Sequence, residues 1–299
     1  MNLKRMLETA ADRYGEKTVV VSGDHRLSYS DLDSASNKMA DALLNIGIKK
    51  GDRVAFMLPN SPEFIITCFG VVKIGAVVVP LDPKYKVAEL DELLADFLPR
   101  VLVTDSPTLE LLAPCLSRYK SIEFVIDLDS GQEKPFLAYD ELITGGSEDR
   151  VGAEPDPDDT AFIFYTSGAS FTPRGAVLSH RAMAEEAKIL GDGFGQTDRD
   201  VMMLFALPMS HVFGLVAVML NAVCKGSSLV IVPGTGLSIG SFMTAIEQER
   251  GTMFLGIPYI FALAVDMAEK EGIKNDLSSL RLCCSSGDFL PDDVVEKFR

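Results

Sequence analysis

Residues 165 to 175 of this chain read Tyr165-Thr166-Ser167-Gly168-Ala169-Ser170-Phe171-Thr172-Pro173-Arg174-Gly175. Apolar runs at 161–165 and 175–178 flank this stretch, and both are typical of short buried strands. The pattern predicts a strand that leads hydroxyl groups, a glycine and a cation into one tight loop. Successive backbone amides in such a loop bind anions, the hydroxyls add donors, and Arg174 supplies positive charge. We interpret the stretch as a polyphosphate-binding loop.

A second interpretation of the same loop stays open. Hydroxyl side chains bond readily to their own turn backbone, so an ordinary Ser/Thr-rich hairpin turn has a similar composition. A Walker A loop is excluded, because the pattern GxxxxGK[ST] is absent and strand-like residues follow where a helix should begin. By itself the loop does not decide between phosphate binding and a plain turn.

On both sides of the loop the chain alternates helical and strand patterns. Predicted helices cover 3–14, 30–44, 62–73 and 87–98, with a further helix from Ser179. Predicted strands cover 18–22, 54–58, 76–80, 101–105, 161–165, 175–178, 228–232, 253–255 and 280–284. Short strands that alternate with helices predict α/β layers with largely parallel strands.

The acidic, proline-bearing stretch 154–159 predicts the boundary between two parts of the chain. We expect a first α/β subdomain over 1–155 and a second over 156–299, opened by the loop hairpin. Pro291-Asp292-Asp293 is a typical helix start, yet the sequence stops at Arg299. We therefore expect this second subdomain to be incomplete at its C-terminal end.

The charge of the chain limits its partners. It has 299 residues, 47% of them hydrophobic, and a formal net charge of −15. This acidic excess repels a polyanion, so nucleic acid is not expected as a partner. Any phosphate must then be bound locally, by backbone amides and one or two cations.

Cysteines and apolar segments bear on location. The five cysteines show no CxxC spacing, which favours reduced thiols in a cytoplasmic protein. The N-terminus lacks the apolar stretch of a signal peptide. The long apolar segment 204–224 contains Pro208, Ser210, His211 and Asn221, so we predict a loop followed by a buried core helix. No transmembrane segment is expected, and peripheral membrane contact stays open.

Further motifs stand in a fixed order around the loop. Before it lie Gly51-Asp52-Arg53-Val54, Leu58-Pro59-Asn60-Ser61 and Pro80-Leu81-Asp82-Pro83. After it lie Ser179-His180, Leu207-Pro208-Met209-Ser210-His211-Val212-Phe213-Gly214, Gly256-Ile257-Pro258 and Ser285-Ser286-Gly287-Asp288-Phe289-Leu290-Pro291. In this order they resemble the adenylate-forming superfamily of acyl-CoA synthetases, firefly luciferase and peptide-synthetase adenylation domains. Ordered motifs over nearly the whole chain are far more specific than any single one.

The resemblance implies a fold and a reaction. Among its members the sequence is most similar to AMP-forming long-chain fatty-acid–CoA ligases. The implied fold is α/β, the layered αβαβα-type large N-terminal domain of these enzymes without their C-terminal parts. The implied reaction activates a hydrophobic carboxylic acid with ATP and Mg²⁺ to acyl-AMP, and then transfers the acyl group to CoA.

Residue roles follow from the same resemblance. It assigns the β and γ phosphates of ATP to Thr166, Ser167, Gly168, Ser170 and Arg174. It implies that His211 is catalytic and borders the substrate carboxylate together with Phe213 and Gly214. It assigns the acyl pocket to Gly256, Ile257 and Pro258, and the surroundings of adenine to Ser286, Gly287 and Asp288. No metal ligand is expected in this chain, because Mg²⁺ arrives with ATP and the family's ligand lies beyond residue 299.

The histidines allow a second interpretation. A lone histidine in an apolar segment is commonly a packed, hydrogen-bonded side chain, which is the alternative for His211. His180 matches a common family residue without an evident chemical duty, and we predict a structural role for it. His25 is expected at the surface.

The loop departs from the family sequence Tyr-Thr-Ser-Gly-Thr-Thr-Gly-x-Pro-Lys-Gly at three points. Ala169 removes a hydroxyl, and Phe171 replaces a glycine and restricts the backbone. Arg174 replaces the usual lysine, so the charge remains while a planar fork replaces a compact ammonium. These changes keep a second hypothesis open, a non-catalytic member that binds nucleotide or acyl chains.

The family's Thr-Glu pair, ribose-binding aspartate, hinge and catalytic lysine are absent from these 299 residues. We therefore expect that this chain alone does not form acyl-CoA. An adenylation enzyme that loads a carrier protein is a third hypothesis, and a homodimer stays open.

Overall fold

Two sheets and the helices around them make up the computed structural model, which describes residues 1–129, 136–166, 174–232 and 237–298. The helices are α1 (Leu3–Tyr14), α2 (Tyr29–Asn45), α3 (Pro62–Lys73), α4 (Val87–Phe97), α5 (Ser106–Leu112), α6 (Tyr139–Gly145), α7 (His180–Gly193), α8 (Asn221–Lys225), α9 (Ile239–Glu249), α10 (Pro258–Glu271) and α11 (Asp292–Phe298). The strands are β1 (Thr18–Ser22), β2 (His25–Ser28), β3 (Arg53–Met57), β4 (Val77–Pro80), β5 (Val101–Thr104), β6 (Phe124–Asp127), β7 (Phe136–Ala138), β8 (Thr160–Thr166), β9 (Arg174–Ser179), β10 (Val201–Leu204), β11 (Ser228–Ile231), β12 (Met253–Gly256) and β13 (Leu282–Ser285). A 3₁₀-helix spans Leu116–Arg118, and a π-helix spans Phe213–Leu220.

Local capping explains where several helices begin. Ser61 caps α3 by accepting a hydrogen bond from the backbone N–H of Phe64, and Pro62 occupies the first turn. Ser28 and Asp31 form a reciprocal capping box at the start of α2. These local signals account for the agreement between the predicted helix 62–73 and α3.

The strands form two sheets that are parallel except at one outer pair each. Sheet A has the order β13-β12-β10-β11-β1-β2, and sheet B has the order β7-β6-β5-β3-β4-β8-β9. The antiparallel pairs are β1–β2 in sheet A and β8–β9 in sheet B. Strands from both sides of residue 155 occur in both sheets, so a division there does not coincide with the division between the sheets. The two subdomains 1–155 and 156–299 stay a prediction.

The main core lies between the two sheets. It joins Val54 and Phe56 of sheet B to Met202 and Leu204 of sheet A through the buried faces of α1, α2, α3, α7 and the π-helix. Successive strand residues point to opposite faces, so the intervening residues face outward. Ala55 therefore packs under α4 and α5 in one outer core, and Met203 packs under α9 and α10 in the other. The layers are helix, sheet, helix, sheet, helix, which confirms the predicted αβαβα-type α/β fold.

A buried charge pair crosses the middle layer. Lys73 of α3 is fully buried and donates to the Asp33 carboxylate and to the Asn37 side chain of α2. Arg150 donates from Nε to the other Asp33 oxygen at 3.1 Å. Burial lowers the pKa of Lys73, and the Asp33 charge opposes that shift. Because an unpaired buried charge is costly, this network fixes α2 against α3.

Two of the differences from the sequence prediction concern the last strand and the segment 204–224. The last strand begins at Leu282 and not at residue 280, because the Leu280 N–H closes a turn on the Leu277 carbonyl at 3.0 Å. The segment 204–224 does form a loop followed by buried helix, as predicted, but its first helical part is a π-helix. None of the helices among the described residues is both long enough and apolar enough to cross a membrane.

His180 ties the start of the chain to α7, which supports the structural role predicted for it. The side chain is fully buried, and its Nδ1 accepts a hydrogen bond from the Leu3 N–H at 3.4 Å. Within the described residues its Nε2 has no hydrogen-bond partner. Burial lowers the pKa of His180 to about 4, against the opposing effect of Asp159. The imidazole is therefore neutral in the folded chain at neutral pH.

Acid should destabilise the fold through His180. In the unfolded chain a histidine is protonated near the usual pKa of ~6.5, whereas His180 in the folded chain has a pKa of about 4. Between these values the unfolded chain binds more protons, so stability is complete above about pH 6.5 and falls as the pH falls. Over pH 6.5 to 5, His180 should remove on the order of 1–2 kcal/mol from the free energy of unfolding, measured by urea titration.

The control uses another histidine. His180→Asn should lose the pH dependence in this window, and His25→Asn at the exposed His25 should retain it. An unchanged slope in His180→Asn would contradict the assignment.

Candidate functional site

Three of the predicted site segments follow neighbouring parallel strands of sheet A. Residues 205–214 follow β10, Gly256 ends β12 with Ile257 and Pro258 directly after it, and Ser286–Asp288 follow β13. Parallel strands end at the same edge of a sheet, and in open α/β sheets ligands bind at that carboxyl edge. The sheet therefore collects residues that are up to about 80 positions apart at one edge.

The segments predicted for the acyl pocket and for adenine touch each other. Gly256 is the strand partner of Ser285, and the Ser286 N–H donates to the Gly256 carbonyl at 3.0 Å. Gly287 has a φ of +94°, and a Cβ there would lie 3.6 Å from Cγ2 of Ile257. An acyl group and an adenine bound at these two segments would therefore lie next to each other.

Gly256 has no room for a side chain. A Cβ there would come within 2.6 Å of the Phe254 ring and 3.2 Å of the Phe261 ring. The glycine lets the end of β12 close onto these aromatic rings before Pro258 starts α10. The Asp288 carboxylate is exposed and accepts the N–H of Phe289 at 2.7 Å.

His211 lies in a loop with an unusual backbone. Ala206, two residues after β10, has a φ of 61°, a left-handed conformation that side chains other than glycine rarely adopt. The His211 N–H donates to the Pro208 carbonyl at 3.1 Å, and the Phe213 N–H donates to His211 Nδ1 at 3.2 Å. With Nδ1 accepting, a neutral imidazole carries its proton on Nε2. The exposed ring can then donate a hydrogen bond from Nε2 to a carboxylate.

The π-helix after His211 fits against this loop at Gly214. A Cβ on Gly214 would lie 2.3 Å from the Pro208 carbonyl oxygen and 3.2 Å from that of Leu207. The half-buried Phe213 opens the π-helix, and Gly214 begins its buried part. Close backbone approach at Gly214 therefore sets the path of the chain around His211.

The phosphate-loop hairpin belongs to sheet B. Thr166 ends β8, Arg174 starts β9, and the two are directly opposite each other in the antiparallel register. Both side chains are exposed. Ser167, Gly168 and Ser170 lie outside the described residues, as do Ala169 and Phe171.

The base of this hairpin is anchored in sheet B. The Tyr165 hydroxyl donates to the Asp96 carboxylate of α4, and its ring packs 5.6 Å from the Phe97 ring. Burial, with a further contribution from Asp96, raises the pKa of Tyr165. A Cβ on Gly175 would lie 2.9 Å from Cγ2 of Ile163, so the two strands are closely packed.

Within the part of the chain that the structure describes, no hydrogen bond joins the hairpin to the sheet A edge. None of the hydrogen bonds among the described residues links Thr166 or Arg174 to the three segments of sheet A. A link between the sheets occurs at Asn60, which follows β3 of sheet B. Its Nδ2 donates to the Leu207 carbonyl at 2.8 Å, and its Oδ1 accepts the Met209 N–H at 2.7 Å.

Sequence reasoning gave no role to Asn60 or to Asp96. Asn60 stands in the quoted motif Leu58-Pro59-Asn60-Ser61, and its polar side chain directly after a buried strand was the signal available. Asp96 offers no such signal, because its partner Tyr165 is 69 residues away.

The described residues contain no metal-binding cluster. Nowhere in this part of the chain do three His, Cys, Asp or Glu side chains lie together as metal ligands would. The site instead offers backbone groups at strand ends, an imidazole and a cation. The fold is thus that of an α/β protein whose predicted site segments lie at the carboxyl edges of parallel strands.

Comparison with known proteins identifies the family. Residues 7–299 match the family model of the AMP-binding enzymes. Because this match covers almost the whole chain, the chain belongs to the AMP-binding enzyme family.

Individual relatives agree with this assignment. The chain is 31% identical over 282 residues to 4-coumarate–CoA ligase-like 3 of Arabidopsis thaliana, covering 93% of this chain and 50% of that protein. It is 27% identical over 326 residues to a long-chain-fatty-acid–CoA ligase of Bacillus subtilis, covering 99% and 57%. The crystal structure of a long-chain-fatty-acid-CoA ligase from Archaeoglobus fulgidus superposes with a TM-score of 0.90 at 26% identity, covering 99% and 59%. The chain thus spans about half the length of the curated relatives that it matches.

Gly214→Ala should destabilise the fold and distort the His211 loop. The new methyl group would meet the Pro208 backbone, which cannot rotate away as a side chain would. Overpacking of this kind costs about 1–3 kcal/mol, which a urea denaturation midpoint will measure.

The matched control is Gly240→Ala in α9. An added Cβ meets nothing within 4 Å there, so this variant should be neutral or slightly more stable. Equal stability of the two variants would show that Gly214 is not closely packed.

Proposed function

We propose that this chain is the ATP- and acid-binding part of an AMP-forming acyl-CoA ligase. The substrate would be a hydrophobic carboxylic acid, with fatty acids as the first class to test. Family membership supports the ligase class, and the relatives named above include both a coumarate-type and a fatty-acid enzyme. Aromatic acids are therefore the second class to test.

The observation that carries this proposal is the position of Thr166 and Arg174. They are strand partners at the open end of the hairpin, so the loop between them begins and ends at one place. Arg174 is exposed and has no ion-pair partner among the described residues, so its charge is available to a ligand. In a chain of net charge −15, such a local cation is what a polyphosphate requires.

Each segment has a role in this proposal. Thr166, Ser167, Gly168, Ser170 and Arg174 would bind the β and γ phosphates. His211, with Phe213 and Gly214, would border the carboxylate. Gly256, Ile257 and Pro258 would shape the acyl pocket, and Ser286, Gly287 and Asp288 would lie beside adenine. The hydrogen bond from the Ser286 N–H to the Gly256 carbonyl supports this arrangement, because acyl group and nucleotide become one molecule in acyl-AMP.

The first step would join acid and nucleotide. A carboxylate oxygen attacks the α-phosphorus of ATP, the bond to the bridging oxygen breaks, and pyrophosphate leaves with that electron pair. A hydrogen bond from His211 Nε2 would orient the carboxylate, and Arg174 would neutralise charge on the leaving phosphates. Catalysis is therefore mainly alignment and charge stabilisation.

The second step would release AMP. The thiol sulfur of CoA attacks the acyl carbonyl, the bond to AMP breaks, and the thiol proton is released. A carrier-protein thiol is the alternative acceptor. Bound Mg²⁺ would offset negative charge on the phosphates during adenylyl transfer, but the described residues contain no cluster of ligands for it. Any Mg²⁺ would come with ATP.

A cytoplasmic location forms part of the proposal. All five cysteines are free thiols in the structure, as expected for a protein of a reducing compartment.

The nucleotide role of Arg174 can be tested on this chain. Arg174→Ala should raise the Kd for ATP about 10- to 100-fold, because a charge-assisted hydrogen bond is worth about 1.5–3 kcal/mol. Isothermal titration calorimetry will measure this, and Arg174→Lys should retain most of the affinity. The matched control is Arg181→Ala, which removes a half-exposed arginine of α7 that is paired with Asp158. Equal affinity of Arg174→Ala and the unaltered chain would exclude a phosphate role for Arg174.

The reaction class needs the complete protein. We expect carboxylate-dependent exchange of pyrophosphate into ATP with at least one acid of a fatty and aromatic panel. We also expect that residues 1–299 alone form no acyl-CoA. Absence of pyrophosphate exchange with every acid of the panel would contradict the ligase proposal. It would favour a non-catalytic binding protein, the hypothesis that Ala169 and Phe171 motivate. Competition between CoA and a phosphopantetheine carrier as acceptor then separates the two ligase types.

A further inference from the structure

Asn60 lies where the two sheets approach each other. It follows β3, which pairs with β4, and β4 in turn pairs with β8 at the base of the phosphate-loop hairpin. Its hydrogen bonds reach the loop after β10 of sheet A, 147 to 149 residues further along the chain. The half-buried side chain is thus fixed in one sheet and bonded to a segment of the other.

The two hydrogen bonds of Asn60 enclose Pro208. Its Nδ2 donates to the carbonyl of Leu207, the residue before the proline, at 2.8 Å. Its Oδ1 accepts the N–H of Met209, the residue after it, at 2.7 Å. Leu207 and Met209 are buried, so either backbone group would be costly to leave unsatisfied.

This contact extends to His211. The Pro208 carbonyl accepts the His211 N–H at 3.1 Å and also lies against Gly214. Fixing both neighbours of Pro208 therefore fixes the carbonyl on which the His211 backbone rests. An asparagine suits this task, because one planar amide carries a donor and an acceptor side by side. Aspartate offers no donor, and alanine offers neither group.

We propose that Asn60 is a positioning residue for His211, holding the imidazole at a set place relative to the phosphate-loop hairpin. This inference rests on the proposed function, in which His211 orients the substrate carboxylate. Asn60 acts on the carboxylic acid through His211 and does not touch the nucleotide. Its loss should therefore affect the acid more than ATP.

The contact itself can be measured without any substrate. Labelling the twelve methionines with ¹⁵N gives a small set of amide resonances, and Met209→Leu identifies that of Met209. In Asn60→Ala the Met209 amide should exchange with solvent about fivefold faster or more, because its acceptor is gone. The Met39 amide, buried in α2, should exchange at its original rate. In Asn60→Asp the carboxylate still accepts, so Met209 should keep most of its protection.

The positioning role is measured by kinetics on the complete protein. Asn60→Ala should raise KM for the acid by up to about 100-fold, while KM for ATP stays within about twofold. Asn60→Asp should be affected less than Asn60→Ala. The matched control is Asn45→Ala, an exposed asparagine of α2 bonded only to Asp41 among the described residues, at 3.0 Å.

The outcomes are separable. An unchanged exchange rate of the Met209 amide in Asn60→Ala would overturn the proposal. So would a KM for ATP that rises as much as the KM for the acid. If the unaltered protein activates no acid at all, the proposed function fails. The amide exchange of Met209 then still decides whether Asn60 fixes this segment.

Discussion

One layer of helices, shared by two sheets, is the constraint on which the rest of this structure depends. Alternate residues of β3 and β10, such as Phe56 and Met202, face the same apolar core from opposite sides. Each sheet can bury its inner face only if the helices between them stay in place. The Lys73–Asp33 pair inside this layer therefore matters beyond its own energy, since it fixes α2 against α3. Because the helices keep the two sheets apart, both sheets can contribute residues to one site only through the segments that follow their strands.

The candidate site follows from that geometry. Sheet B supplies the hairpin with Thr166 and Arg174, and sheet A supplies the segments around His211, Gly256 and Gly287. Most of these positions contribute backbone. At Gly214 and Gly256 neighbouring atoms leave no space for a Cβ, and Gly287 has a φ of +94°, which favours glycine. A site built of backbone groups needs little net charge. This fits the proposal that this acidic chain would bind a polyphosphate locally and not through an extended basic surface.

The loop residues that depart from the family sequence bear on activity and not on family membership. Family membership rests on the match over residues 7–299 and does not depend on any single loop residue. Ala169 and Phe171 change donors and backbone freedom at the very point where phosphate would bind. Function is decided by such positions, whereas the fold around them is common to enzymes of different substrates.

Much of this protein could be predicted from its sequence. Ser61 and Pro62 determine the start of α3 locally, and the apolar runs at 161–165 and 175–178 determine the hairpin. The αβαβα order and the family follow from ordered motifs. These features depend on neighbours within a few residues or on patterns repeated along the chain.

Only the tertiary structure decided the rest. The sequence does not reveal that Asn60 bonds the chain on both sides of Pro208, or that Tyr165 bonds Asp96. It also does not reveal the π-helix after His211 or the hydrogen bond from Ser286 to the Gly256 carbonyl. Each of these depends on residues brought together by strand pairing and layer packing across long stretches of chain. Hydrogen bonds and close contacts of that kind have no local signal, because their partners are chosen by the fold and not by adjacent residues.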